Sequence, residues 1–499
     1  MKENSFSISV RSDNRTIVST DFFPVYQNEI TFLFGESGIG KSVLSKSVYG
    51  LLDPEGLEIV INNKPYGLHL NNHWTKQVRK NSFFVFQEPS SHLNPLMTIK
   101  DQLNEGSLGG LEDREILSYL WQSSGDESVR KIIDIFPKPY RPSGGEKQRI
   151  LLAMAFKRIN ALIQKDNPDE PSFFVFDEPT GSLDNNYRDL FINLLFSKFR
   201  ACPFTIQIIT HDYSIISEIY RSHKDLLRYI HFKELSRISD TQVRVDDFSP
   251  REYLSWLNAP KNHKADKSLH DTVLEVNPHF EIFGKSLSVF SDESLSEPAP
   301  LIIRKGEMVY LKAPSGVGKT TLAKIIMGLY KADKFRMSLC GLKVSQRSSP
   351  SVWQNKIWGK RAGMVFQHAD EALNLESTVK ETFKGLPLKI RINTETLQNK
   401  LLELFDPPVT KQFINKKVKY LSGGQKQRLN LLRTLILTPD LIILDEPLNG
   451  LDFNSVRKVL SLLDEKRALG SALLMISHNE EIFENFIDRR HIYHLNTTS

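Results

Sequence analysis

Two lysines, Lys41 and Lys319, each close a glycine-rich run and each precede a hydroxyl side chain, in GESGIGKS at 35–42 and APSGVGKT at 313–320. The chemistry this pattern suits is the holding of a phosphate chain. Glycine lets the backbone wrap an anion with its amide groups turned inward, and a helix that starts there adds its amino terminus. The first cradle is Gly35, Glu36, Ser37, Gly38, Ile39, Gly40, Lys41 and Ser42. The second is Ala313, Pro314, Ser315, Gly316, Val317, Gly318, Lys319 and Thr320, with Thr321 beside it. Lys41 and Lys319 are expected to reach the terminal phosphates, and the Ser42 and Thr320 hydroxyls to ligate magnesium.

Four acids supply the next step. FFVFDE at 173–178 and LIILDE at 441–446 are unbroken apolar runs ending in paired carboxylates. Such a run suits a central parallel strand buried on both faces, and ligands of open α/β sheets bind at its carboxyl end. A strand ending in two acids is ordinarily a solvated strand end; the phosphate cradle upstream changes that reading. Asp177 and Asp445 are expected to hold magnesium through water, and Glu178 and Glu446 to orient and polarise an attacking water. His211 and His478 each follow a further apolar run, FTIQIIT or ALLMIS, at matched distances from the acids. That match favours a γ-phosphate contact over a structural histidine. Gln87 and Gln367 likewise end strand-like runs, and out of context either could be a plain edge glutamine.

The elements that must position these residues come in two sets. Phosphate cradle, glutamine, an SGG run, acid-ended strand and histidine occur twice in one order. The spacings agree closely, except that the first copy carries extra residues around IQKDNPDEPS (163–172), which reads as a surface loop. A strand-like EITFLF or EMVYLK precedes each cradle, and a helical SVLSKSVYGLL or TLAKIIMGLY follows it, the context this motif requires. The expected fold is α/β: two P-loop nucleoside-triphosphatase domains in tandem, each with a mixed sheet core and a helical subdomain. The boundaries expected are 1–221 for the first, 222–272 for a linker with peripheral helices, and 273–499 for the second. SPREYLSWL at 249–257 has helical spacing and is expected to pack on the first domain. A length of 499 residues, with 40% hydrophobic and 25% charged side chains, suits two globular domains. A net charge of +6 is too small to imply an acidic partner. The two cysteines, Cys202 and Cys340, exclude a disulfide framework or an iron–sulfur cluster. No run approaches the roughly 20 apolar residues that span a bilayer, and MKENSFSISVRSDN lacks a signal peptide's apolar core.

PSGGEKQR at 142–149 and LSGGQKQR at 421–428 separate this chain from other phosphate-loop proteins. With the glutamine, acid and histidine elements, they resemble the signature of the ATP-binding-cassette (ABC) family, across most of both halves. The resemblance implies an ATPase that uses magnesium and closes its two domains head to tail over two ATP molecules. Site one would then be Gly35–Ser42, Gln87, Asp177, Glu178 and His211, completed by Ser422, Gly423 and Gly424. Site two would be Lys319, Thr320, Gln367, Asp445, Glu446 and His478, completed by Ser143, Gly144 and Gly145. Three departures fall on site two: Ala313 for glycine, Pro142 for leucine, and Glu146 for glutamine. They make it the weaker site expected, Glu146 through negative charge near the phosphates. GLD at 450–452, against SLD at 182–184, is a contrary sign. No adenine-stacking aromatic stands out before the first cradle, and Phe290, before the second, suits core packing.

QEPSSHLNPLMTIKDQL at 87–103 is similar to the corresponding stretch of importer ATPases for peptides, nickel and metal chelates. The second copy, QHADEALNLESTV, keeps only an echo of it. That similarity implies an energy-coupling subunit, cytoplasmic and peripheral on the inner membrane face. Its partners would be two membrane permease subunits and an extracytoplasmic solute-binding protein. The alternative is a soluble tandem ATPase acting on ribosomes or nucleic acid. A strongly basic linker or clustered cysteines would favour it; the 222–272 stretch is mixed in charge, and no nucleic-acid partner is expected.

Overall fold

The computed structural model describes residues 3–13, 15–104, 111–122, 142–164, 170–181, 185–239, 241–259, 271–314, 316–388, 393–405 and 409–498. The chain divides into two compact units, Met1–Glu252 and Tyr253–Ser499.

In the first unit, β1 (Glu3–Ser12), β2 (Arg15–Tyr26), β4 (Glu58–Ile61) and β5 (Lys64–Pro65) form an antiparallel sheet in the order β2-β1-β4-β5. The main sheet runs β10-β9-β3-β8-β7-β6. It uses β3 (Ile30–Gly35), β6 (Phe84–Val85), β7 (Phe174–Asp177), β8 (Ile206–Ile209), β9 (Ile230–Arg237) and β10 (Val243–Asp247). β3 lies between β8 and β9 and is parallel to both; only β10 is antiparallel to its neighbour. Every residue of β3, β7 and β8 is buried, which accounts for their unbroken apolar sequences. Two helices matter for the site: α1 (Lys41–Tyr49), which leaves the first phosphate cradle, and α2 (Gly144–Ile163), which the SGG run opens.

The segment 222–272 was expected to tether the domains, yet its first half completes the first sheet. Leu235 of β9 lies opposite Gly35 of β3, and Phe232 opposite Phe32. Without β9, the backbone of β3 would have an unpaired edge in the middle of the core. The following helix, α3 (Pro250–Leu257), spans the boundary between the units. From Tyr253 onward the helix belongs to the second unit. Tyr253 is fully buried in the second unit, its ring 5.6 Å from Phe453 and its hydroxyl donating to Glu481 at 3.1 Å. Trp256 meets Phe453 edge-on at 5.3 Å.

The second unit repeats the plan. β11 (Thr272–Val276), β14 (Leu301–Arg304), β16 (Arg336–Leu339) and β17 (Leu342–Ser345) form the antiparallel sheet, in the order β14-β11-β16-β17. The main sheet runs β12-β13-β21-β15-β20-β19-β18. Its strands are β12 (His279–Ile282), β13 (Lys285–Phe290), β15 (Met308–Lys312), β18 (Ala362–Val365), β19 (Leu441–Asp445), β20 (Ala472–Ile476) and β21 (Ile492–Thr497). The helices matching α1 and α2 are α4 (Lys319–Ile326) and α5 (Gly423–Leu435). Among the described residues, no helix is long and apolar enough to cross a membrane. Much of the first unit's expected helical subdomain, and the centre of the 163–172 loop, lie outside the described residues.

Candidate functional site

β3 delivers the chain into the first cradle at Gly35, and three glycines there have positive φ: Gly35 at 136°, Gly38 at 76° and Gly40 at 115°. A methyl group on Gly35 would come within 2.9 Å of the Leu235 carbonyl oxygen, and one on Gly40 within 2.7 Å of Val18. Both φ and space therefore demand glycine. Lys41 opens α1 and folds back over the loop, its ammonium donating to the carbonyl oxygens of Gly35 at 2.5 Å and Glu36 at 3.1 Å. Burial lowers its pKa, against the opposing pull of Glu178 and Asp177.

In the second unit Gly316 (φ 79°) and Gly318 (φ 121°) keep this geometry, and Lys319 donates to the Ala313 carbonyl oxygen at 2.5 Å. Ala313 itself is not among the described residues with positive φ. The methyl group that sequence reasoning counted against this loop is thus carried without left-handed strain. Ser315 lies outside the described residues.

The acids arrive as their sequence position implied. Asp177 and Asp445 end β7 and β19, 2% and 1% exposed. Thr320 donates to Asp445 Oδ1 at 3.1 Å, and the Ser42 hydroxyl in the first unit favours the charged form of Asp177. Burial pushes Asp177 up to about 6 and raises Asp445 in the same direction. Asp177 Oδ1 and Asp445 Oδ2 are buried without a hydrogen-bond partner. A buried carboxylate oxygen left in this way is costly, and a hard divalent cation beside a hydroxyl ligand is what such an atom fits. The pairs Ser42–Asp177 and Thr320–Asp445 therefore suit magnesium.

Glu178 and Glu446 follow, both with left-handed backbone, at φ 48° and 49°. Non-glycine residues rarely adopt this conformation, and where they do the surroundings must hold it. Here the Glu178 amide donates to Ile209 O at 2.9 Å and the Glu446 amide to Ile476 O at 2.8 Å. Nothing in the local sequence announces it. His211 Nδ1 lies 2.7 Å from Glu178 Oε1. Burial alone would lower the His211 pKa, but the adjoining carboxylate leaves it above the usual value. In the second unit His478 Nε2 is 3.7 Å from Glu446 Oε1, and Ser477, which sequence reasoning passed over, donates to Glu446 Oε2 at 2.8 Å. Burial pushes Glu446 up to about 7, with the Ser477 hydrogen bond opposing. Gln87 and Gln367 lie just beyond β6 and β18; among the described residues neither is hydrogen-bonded to an aspartate or glutamate of the site.

Ser143 and Ser422 are the N-caps of α2 and α5, each in a reciprocal capping box. Ser143 N donates to Glu146 Oε2 at 2.8 Å while Glu146 N donates to Ser143 Oγ at 3.3 Å. Gln425 does the same for Ser422, at 3.1 and 3.2 Å. Glu146, expected to set negative charge against the phosphates, also accepts the backbone amide of its own cap. Gly144 and Gly145, like Gly423 and Gly424, open the helices directly behind these serines. The SLD run at 182–184 lies outside the described residues.

A cleft of about 470 Å³ opens in the first unit beside the segment that follows Gln87. Tyr49, Phe83, Phe86 and Leu103 give it apolar walls, and Arg79, Lys157 and Arg158 line it, with no carboxylate among the described lining residues. The adjoining 88–104 segment is pinned by Gln102, whose side chain accepts from Asn94 N at 2.8 Å and donates to Asn94 O at 3.1 Å.

Comparison with known proteins agrees with this geometry. The chain is similar to peptidoglycan transport ATP-binding protein YejF of Agrobacterium fabrum, at 26% identity over 95% of this chain and 87% of that one. It is equally similar, at 26% over 93% and 88%, to an uncharacterized ABC transporter ATP-binding protein, YejF of Escherichia coli. Among solved structures, the archaeal ribosome recycling factor aABCE1, in complex with the stalk protein aP1, superposes with a TM-score of 0.62 at 16% identity. That match covers 96% of this chain and 87% of that chain and is a likeness of fold. The family model described as ABC transporter matches residues 20–181 and again 297–449, so each match holds one cradle, one SGG helix and one acid-ended strand. The chain belongs to the ABC transporter family, as two of its ATPase domains in tandem.

Proposed function

We propose that this chain is the energy-coupling subunit of a membrane importer for peptides or for nickel or another metal chelate. The observation that carries the reading is the first unit's cleft, beside the importer-like 88–104 segment. A cationic, partly aromatic lining, with no carboxylate among its described residues, suits a permease segment bearing acidic and apolar side chains. Two permease subunits and an extracytoplasmic solute-binding protein would complete the assembly, with this chain on the cytoplasmic face.

The residues divide the work plainly. Lys41 and Lys319 would exchange neutral carbonyl oxygens for the β- and γ-phosphate oxygens of ATP, a stronger, charge-assisted contact. Ser42 with Asp177, and Thr320 with Asp445, would hold magnesium, which neutralises charge on the phosphate oxygens. Glu178 and Glu446 would orient water in line with the γ-phosphorus and accept its proton. His211 and His478 would contact the γ-phosphate. Ser143–Gly145 and Ser422–Gly424 would present a hydroxyl and helix amides to the ATP held by the other domain.

A ribosome-directed ATPase is the rival. The likeness to aABCE1 and to other matched structures of that kind rests on fold alone at 16% identity. The discriminating experiment is fractionation of cells expressing the full chain with its neighbouring permease genes. Sedimentation with permease-containing membranes is expected, along with ATP hydrolysis that Lys41→Ala combined with Lys319→Ala abolishes. Recovery with ribosomes instead would overturn the importer; undiminished hydrolysis in the double variant would overturn the site.

A further inference from the structure

The two units hold their water-orienting carboxylates by different partners. In the first, His211 Nδ1 meets Glu178 Oε1 at 2.7 Å. Thr210, just before that histidine, uses its hydroxyl to accept from Asp212 N at 3.0 Å. In the second, His478 Nε2 stands 3.7 Å from Glu446 Oε1, beyond hydrogen-bond reach, and its side chain is 47% exposed. The side chain that holds this carboxylate is Ser477, with the backbone amide of His478 also favouring its charged form.

Ser477 is placed so that its single proton has one destination. Its carbonyl oxygen accepts from the Tyr310 hydroxyl at 2.9 Å, which fixes the backbone just past β20. Its Oγ accepts from Asn479 N at 3.1 Å, occupying a lone pair. A hydroxyl has one proton to give, and here it goes to Glu446 Oε2 at 2.8 Å. Ser477 and Glu446 are 2% and 5% exposed, so water does not compete strongly for the contact.

We propose that Ser477 is the positioning residue for Glu446, doing in the second unit what His211 does for Glu178 in the first. The His478 imidazole is then not required to orient the carboxylate in the second unit. This rests on Glu446 acting on the attacking water, as read above.

The test is steady-state magnesium–ATP hydrolysis by the full chain carrying Ser477→Ala, Ser477→Thr, Thr210→Ala or Glu446→Gln, with melting temperatures measured alongside. Ser477→Ala is expected to lower kcat roughly ten- to a hundredfold, the worth of one hydrogen bond to a charged acceptor, with the KM for ATP within about twofold. Ser477→Thr, which keeps the hydroxyl, should recover most of the loss. Thr210→Ala, which touches no catalytic carboxylate, should stay within about twofold of the parent. If Glu446→Gln cuts turnover while Ser477→Ala does not, the positioning role is wrong. A loss in Ser477→Ala that tracks a lowered melting temperature and is not recovered by threonine also overturns it. Unchanged turnover in Glu446→Gln would instead remove the reading of Glu446 on which the proposal stands.

Discussion

Whether a glycine serves the fold or a ligand can be judged from what a methyl group there would strike. Gly40 has φ 115° and Val18 within 2.7 Å of an added Cβ, so Gly40→Ala meets both strain and collision. Strain of that kind costs about 1–3 kcal/mol. Its measurable outcome is a lower melting transition for the first unit. Gly144 is the opposite case: nothing lies within 4 Å of an added Cβ, and the residue begins a helix. Alanine is the better helix former by up to about 1 kcal/mol, so Gly144→Ala should leave stability unchanged or improved. Its ATP turnover should nevertheless fall, because the open side of that glycine is the side a phosphate would approach. A Gly144→Ala variant with full turnover would show that the SGG run serves only to cap its helix.

At the scale of elements, α3 gives the sharpest expectation. Tyr253 is fully buried against Phe453 and hydrogen-bonded to Glu481. Truncating such an aromatic costs about 3–5 kcal/mol. Tyr253→Ala should therefore lower the second unit's calorimetric transition and leave the first in place; a shift confined to the first would contradict the packing. The strand–cradle–helix units were legible because β3, β7 and β8 are buried on both faces and so read as unbroken apolar runs. β9 and β10 were not, for a reason visible in their side chains. Polar partners occur on both faces of that antiparallel pair, Lys233–Asp247 on one and Ser236–Asp246 on the other. Alternation of these with Phe232 and Leu235 gives a composition close to that of a linker. The left-handed glutamates and the Ser477 contact were illegible for a different reason, since each depends on neighbouring strands being in place.

For the whole molecule, the question is whether two ATP sites assembled from unlike halves work equally. Sequence alone gave three reasons to expect the second to lag, and the structure eases one: Ala313 carries its methyl group without positive φ. The Glu146 carboxylate closes a capping box as Gln425 does in the other unit, but keeps the negative charge that Gln425 lacks. Pro142 remains, but Ser143 behind it still caps α2, so the serine and helix amides offered to a nucleotide keep their arrangement. Both units also retain a buried aspartate with an open oxygen, paired with a hydroxyl residue. What differs is how the water-orienting glutamate is held, by His211 in one unit and Ser477 in the other, and either hydrogen bond suffices to fix a carboxylate. On the proposed pairing, each turnover cycle draws on both sites. Glu178→Gln and Glu446→Gln, made singly and assayed in the assembled transporter, should then leave residual turnovers within about threefold of one another, a difference of ~0.7 kcal/mol in barrier height. Turnover of Glu446→Gln about tenfold above that of Glu178→Gln would mean that the second site contributes little, and Pro142 and the Glu146 charge would be left to explain it.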